Sequence, residues 1–122
     1  MRLGARSPTP AQARGAAAEE QAARFLERQG LDIVARNYRT RFGEIDLIAR
    51  EGATLVFVEV RMRSSGGYGG AAGSIGARKQ ARIVAAARQF LARIPREPVC
   101  RFDVVTLESD TPQWLRGAFE VS

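Results

Sequence analysis

The chain has 122 residues, 45% hydrophobic and 26% charged, a composition that suits one domain around a single core. Its formal charge of +6 favours a polyanionic partner, nucleic acid or an anionic membrane surface. There is no histidine and a single cysteine, Cys100. A Ser-His-Asp triad, a Cys-His dyad, histidine-ligated zinc and an intrachain disulfide are therefore excluded.

Residues 1–10 carry two prolines and two arginines and are expected to form a disordered basic arm, leaving 11–122 as the single domain. Residues 11–29 read as an alanine-rich helix stopped by Gly30, with Glu20 and Arg24 as an i, i+4 pair. Its apolar stripe is Ala22, Ala23, Phe25 and Leu26. Glu19, by helical spacing, lies on or beside that inner face, whereas Glu20 and Glu27 point outward. Leu31 to Tyr38 reads as a strand running into Arg36, Arg39 and Arg41, cations interrupted by Tyr38 and Phe42. Cations beside aromatics suit a phosphate backbone as well as a solvated strand end.

Two further strands, Glu44 to Ala49 and Leu55 to Arg61, flank a turn at Glu51-Gly52. Each is mostly Ile, Leu, Val and Phe, yet each carries acid. Alternation sets Glu44, Asp46 and Ile48 on one face of the first strand, and Leu55, Phe57, Glu59 and Arg61 on one face of the second. A two-residue loop at 51–52 sets Asp46 opposite Phe57 and makes Asp46 and Glu59 diagonal neighbours on one face. A four-residue loop keeps that register, while a three-residue loop sends the acids to opposite faces. Two carboxylates side by side on an apolar sheet need a cation or a shared proton, and Mg²⁺ suits one or two carboxylates plus water and phosphate oxygens. The plainer alternative is ordinary salt bridges, Glu59 with Arg61 or Arg63 and Asp46 with Arg41.

The stretch 64–76 is glycine-rich but lacks the G-K-[ST] ending of a phosphate-binding P-loop. Ile75 to Ile94 reads as a second helix, capped by Ser74, with Ile83, Ala87, Phe90, Leu91 and Ile94 as its core stripe. Arg78, Lys79 and Arg82 cluster in its first turns, where a phosphate can be met. Val99 to Leu107 is a strand joined to the Glu59 strand by a crossover, and Asp103 within it is expected to pair with an arginine or a helix end. Cys100 belongs to an apolar run and reads as core. A last edge strand covers Trp114 to Val121. No apolar stretch approaches the ~20 residues of a membrane helix, and Ala16 to Ala18 is too short for a signal-peptide core, so a cytoplasmic protein is expected.

The segments GAAAE at 15–19, NYRTRFGEIDLIA at 37–49, VFVEV at 56–60, RKQ at 78–80 and RFDVV at 101–105 resemble the YraN-like family of uncharacterised bacterial proteins. That family is similar to the restriction-endonuclease-like nucleases, including archaeal Holliday-junction resolvases. The resemblance covers roughly residues 15 to 107. It implies an α/β fold, a mixed β-sheet flanked by helices with an αβββαβ core, and a D…E-x-K metal site. By position, Asp46 matches the aspartate, Glu59 the glutamate, and Glu19 the helix acid that assists metal or water binding.

The function so implied is Mg²⁺- or Mn²⁺-dependent hydrolysis of phosphodiester bonds in DNA, branched DNA included. Asp46, Glu59 and the Val60 carbonyl hold the metal, and Arg39, Arg41, Arg78, Lys79 and Arg82 contact nucleic acid. Related junction enzymes are dimers, so a homodimer is implied as well. One residue departs from the pattern: Arg61 stands where the family normally has lysine. Arginine clamps phosphate oxygens but accepts no proton near neutral pH. The alternative is therefore a non-catalytic nucleic-acid-binding module that has lost turnover. Lys79, the only lysine, could substitute only if the second helix carried it to the site, and the sequence supplies no geometry for that.

Overall fold

The computed structural model describes residues 9–62, 75–107 and 111–121. Helix α1 (Pro10–Arg28) begins where Thr9 caps it: the Gln12 amide donates to Thr9 Oγ1 at 3.1 Å and the Thr9 amide donates to Gln12 Oε1 at 2.8 Å. This reciprocal box, with proline preorganised at the first helical position, places Thr9 and Pro10 in the helix start and shortens the expected arm. Residues 1–8 of that arm lie outside the described residues. Ala18, Ala22, Ala23 and Leu26 are buried, so the stripe read from spacing is the one that packs, extended one turn towards the N-terminus. Phe25 stands at its edge, ring-edge to Trp114 with centroids 6.0 Å apart.

Five strands follow in one sheet, ordered as in the chain: β1 (Asp32–Arg39), β2 (Glu44–Glu51), β3 (Thr54–Arg61), β4 (Val99–Thr106) and β5 (Gln113–Phe119). The neighbours β1–β2, β2–β3 and β4–β5 are antiparallel. Only β3 and β4 are parallel, joined through helix α2 (Ala77–Leu91). The αβββαβ order expected from the sequence is present, with β5 added at the edge.

Alternation along the strands sorts the core into two layers. On the α1 side lie Leu47, Ala49, Val56, Val58, Val105 and Leu107. On the α2 side lie Ile45, Ile48, Leu55, Phe57 and Phe102, under Ile83, Ala86 and Ala87. Phe57, Phe102 and Phe119 form a stacked row there, with centroids 5.4 and 4.9 Å apart. Phe90 closes edge-on over Phe57 and Tyr38, so Tyr38 belongs to the core and not to a phosphate-binding surface. Helix α2 starts after Gly76, which makes no side-chain cap, instead of being capped by Ser74; residues 63–74, including Arg63 and most of the glycine-rich stretch, lie outside the described residues.

The β2–β3 turn corrects the expected register. Glu51 pairs with Thr54, so the loop is Gly52-Ala53 and the ladder is displaced by two residues. Gly52 adopts φ 60°, at the position where a type II′ hairpin takes glycine; that demand placed the turn one residue later than the Glu51-Gly52 pair suggested. A shift of two preserves which face each side chain occupies. Continuing the ladder from Leu47 opposite Val58 puts Asp46 beside Glu59 and not Phe57.

Candidate functional site

The sheet forks at these two acids. The β2–β3 ladder ends at Leu47–Val58, while β1 and β2 stay paired out to Arg39–Glu44 and β3 and β4 out to Arg61–Thr106. Where β2 and β3 part, the Val60 amide loses its strand partner. It donates instead to Asp46 Oδ2 at 2.8 Å. Strict alternation also breaks here. Ile45 and Ile48, three apart, share the α2-side core, as do Ala35 and Tyr38 on β1. Between them lies Asn37, opposite Asp46 in the ladder, with a left-handed φ of 50°. Asp46 therefore occupies the cleft between the strands, within reach of acids on both sides of the sheet, and is not one of a row of side chains on one flat face.

Those acids are Glu19 and Glu59. Glu59 follows Phe57 onto the α2 side and is buried, 7% exposed. Burial, then the neighbouring Asp46 charge, pushes its carboxyl up to about 7, with Lys79 opposing. Glu19 approaches from α1. Its pKa is raised by burial and then by Asp46, against the opposing hydrogen bond from Asn37 and the charge of Arg39. Asp46 thus neighbours both of the other acids singled out by spacing, Glu19 on one side and Glu59 on the other. Of the plainer salt bridges, neither Glu59–Arg61 nor Asp46–Arg41 forms, and Arg63 lies outside the described residues; Glu59 is instead paired with Lys79, Nζ to Oε2 3.3 Å, and Asp46 with a backbone amide.

This donor set suits a hard divalent cation of few protein ligands. Among the described residues, Asp46 Oδ2 accepts from the Val60 amide and Glu59 Oε2 faces the Lys79 ammonium. Among the described residues, no group of three or more acid or cysteine side chains could hold a metal ion. Two carboxylate oxygens and a backbone carbonyl, completed by water and phosphate, match Mg²⁺ or Mn²⁺. Burial first, and then repulsion from Asp46, raises the pKa of Glu59.

Two basic segments adjoin the fork. The β1–β2 turn is locked by Thr40: its hydroxyl accepts from the Phe42 and Gly43 amides at 3.0 and 3.1 Å and donates to the Gly43 carbonyl at 3.0 Å. Gly43 lies flat on α2, where an added Cβ would stand 2.2 Å from the Arg82 carbonyl oxygen. The turn carrying Arg41 and exposed Phe42 is thereby docked on the first turns of α2, which carry Arg78, Lys79 and Arg82. The Arg41 guanidinium lies 5.2 Å from the Phe42 ring centre, and Arg39 is 3.7 Å from Glu44. A small cleft of about 130 Å³ between them is lined by Glu44, Lys79, Arg82 and Ile83. The larger cleft, about 680 Å³ between α2 and the β4–β5 edge, contains none of the candidate acids.

Sequence reasoning missed Asn37, and it raised Lys79 as a cation for the site without the geometry that brings it to Glu59. Asparagine inside a strand is disfavoured and tolerates left-handed backbone, so Asn37 was a legible irregularity. The Lys79 contact has no local signal, because it joins residues 20 apart through helix docking.

The comparisons with known proteins agree with one another. The family described as "Uncharacterised protein family UPF0102" matches residues 18–107. A UPF0102 protein of Cupriavidus taiwanensis is 59% identical over 110 residues, covering 89% of this chain and 84% of the relative. One from Verminephrobacter eiseniae is 57% identical over 112 residues, covering 88% and 78%, and one from a Janthinobacterium species is 48% identical over 122 residues, covering 98% and 99%. No helix among the described residues is long and apolar enough to cross a membrane. The matched span contains the acids, the fork and both basic segments: this chain belongs to the UPF0102, or YraN-like, family.

Proposed function

We propose that this protein is a metal-dependent nuclease that hydrolyses phosphodiester bonds in DNA. The observation that carries the reading is the placement of the Asp46 carboxylate in the fork between β2 and β3, against buried Glu59 and its Lys79 partner. The reading also draws on the resemblance of the αβββαβ core and its acids to restriction-endonuclease-like enzymes. Asp46, Glu59 and the Val60 carbonyl would hold Mg²⁺ or Mn²⁺, which when bound supplies an acidified water and offsets charge on the phosphate. Glu19, its pKa raised by burial and then by Asp46, helps place the water. Arg61, beside Glu59 on the same strand face, clamps phosphate oxygens. Arg39, Arg41, Arg78 and Arg82 hold the sugar-phosphate backbone by charge, so binding weakens steeply with salt.

The test is a cleavage panel of labelled junction, flap, single-stranded and linear DNA with Mg²⁺ or Mn²⁺, run beside Asp46→Ala. Metal-dependent cleavage by the native protein that disappears in the variant is the expected result. Equal cleavage by both proteins would show that the nuclease centre lies elsewhere. The non-catalytic alternative rests on Arg61 and predicts salt-sensitive binding without cleavage in the same panel.

A further inference from the structure

Resting on the nuclease reading, we propose that Lys79, delivered from α2, is the catalytic cation that contacts the scissile phosphate and the attacking water. It would thus act in place of the residue two beyond Glu59. Its ammonium lies 3.3 Å from Glu59 Oε2. The carboxylate is 7% exposed and the lysine side chain 47% exposed. A half-exposed lysine thus reaches a buried acid, and its ammonium stands where a phosphate approaching Glu59 from solvent can meet it. Three N–H donors sit on that nitrogen; among the described residues Glu59 is its one ionic partner, so a phosphate oxygen and a water can take the others.

The placement is built into the fold. Gly43 presses on the backbone of α2 at Arg82, one turn beyond Lys79. Buried Ile83 anchors the same stretch, and the Gln80 side-chain amide donates to the Ile75 carbonyl at 2.9 Å, tying down the helix start. Arg61, by contrast, makes no ion pair among the described residues. Composition points the same way. Every other basic side chain is arginine, so the lone lysine stands against the habit of the chain. A guanidinium at this place would grip Glu59 with a planar two-pronged fork, whereas a compact ammonium leaves one carboxylate oxygen open to another cation.

In the reaction the water oxygen bonds to phosphorus as the bond from phosphorus to one ester oxygen breaks. The water gives up a proton to solvent and the departing oxygen takes one from solvent. Lys79 keeps its protons throughout. It lends direction to the water and positive charge where negative charge gathers on the non-bridging oxygens.

Lys79→Met, Lys79→Arg and the double variant Lys79→Met/Arg61→Lys test this by cleavage rate, Mn²⁺ calorimetry and thermal unfolding. Removing the ammonium is expected to slow cleavage by about 100-fold or more. Mn²⁺ binding should persist, and Lys79→Arg should rescue poorly. Restoring a lysine at position 61 should recover cleavage without changing the melting temperature of Lys79→Met. Native-rate cleavage by Lys79→Met, or loss of Mn²⁺ binding in step with rate, would overturn the proposal and leave Lys79 as a partner that holds Glu59 in place. An active native protein with an active Lys79→Met overturns this inference alone. A native protein that cuts nothing in the panel overturns the nuclease reading and this inference with it.

Discussion

Two acids are buried in neighbouring parallel strands of one sheet, and they are treated in opposite ways. Asp103 on β4 is 1% exposed and receives four donors. Arg101 grips it through two N–H groups at 2.8 and 2.9 Å, the Trp114 indole at 2.9 Å and the Gly117 amide at 3.0 Å. Arg101 reaches on to Glu51 at 2.9 Å, and Arg116 pairs with Glu51 at 3.2 Å while stacking 4.0 Å above Trp114. Glu59 on β3 is buried too, 7% exposed, but among the described residues it has one ammonium at its rim and a second carboxylate for a neighbour. A buried carboxylate given a full set of donors is part of the scaffold. One left short of donors, beside another acid, is a place where the fold tolerates repulsion, and such places are enriched in function.

Glu59→Gln should break the contrast most sharply. On the nuclease reading, cleavage falls by roughly a thousandfold, as expected when a metal-holding charge is removed. Stabilisation by Mn²⁺ in a thermal melt should vanish in the same variant. A substituted protein that still cuts at the native rate would remove Glu59 from the centre.

Asp103→Asn should do the reverse. It strands Arg101 and the Trp114 N–H, and a loss of about 3 kcal/mol in urea unfolding is expected. Mn²⁺ affinity should change little, since Asp103 lies on the α1 side, away from the fork. If metal binding collapsed while stability held, the division into scaffold acid and functional acid would be wrong.

The pH dependence sharpens the comparison. In the metal-free protein Glu59 titrates near 7, above the ordinary carboxylate value of 4.5 that it takes when unfolded. Between those values the folded state binds the extra proton, so stability falls as pH rises from 4.5 towards 7 and the loss is complete above 7. With EDTA present, Glu59→Gln should therefore be more stable than the native protein at pH 8, by roughly 2–3 kcal/mol, and nearly equal to it at pH 4.5. A difference that does not change between the two pH values would refute the burial-and-repulsion origin of the shift.

The smallest effect concerns Thr106, whose buried hydroxyl is the one unpartnered side-chain polar atom found among the described residues. Thr106→Val should be neutral or stabilising by up to about 1 kcal/mol in urea unfolding. A loss of that size would reveal a hydrogen bond to it.

Much of this architecture was legible in the sequence because it follows from short-range rules. Alternation and helical spacing marked the strands, both helices and the inner stripe of α1, and brought Glu19, Asp46 and Glu59 forward as a group. Glycine at the hairpin and proline with threonine at the first helix start are likewise local signals, although each was misplaced by one or two residues. Tyr38, grouped with phosphate-binding cations, packs against Phe90 instead, because spacing alone does not say which of two aromatics the second helix covers.

Tertiary structure alone decided three things. The fork at Asp46 arises because β2 leaves β3 while each keeps its other partner, a competition between ladders that no single strand records. The Lys79–Glu59 contact depends on how far α2 settles onto the β1–β2 turn, which the missing Cβ of Gly43 permits. Asp103 is a scaffold acid because its donors arrive from a bulged neighbouring strand as well as from Arg101. Residue type and spacing determine which way a side chain faces; what it meets there depends on distant segments whose approach is set by packing.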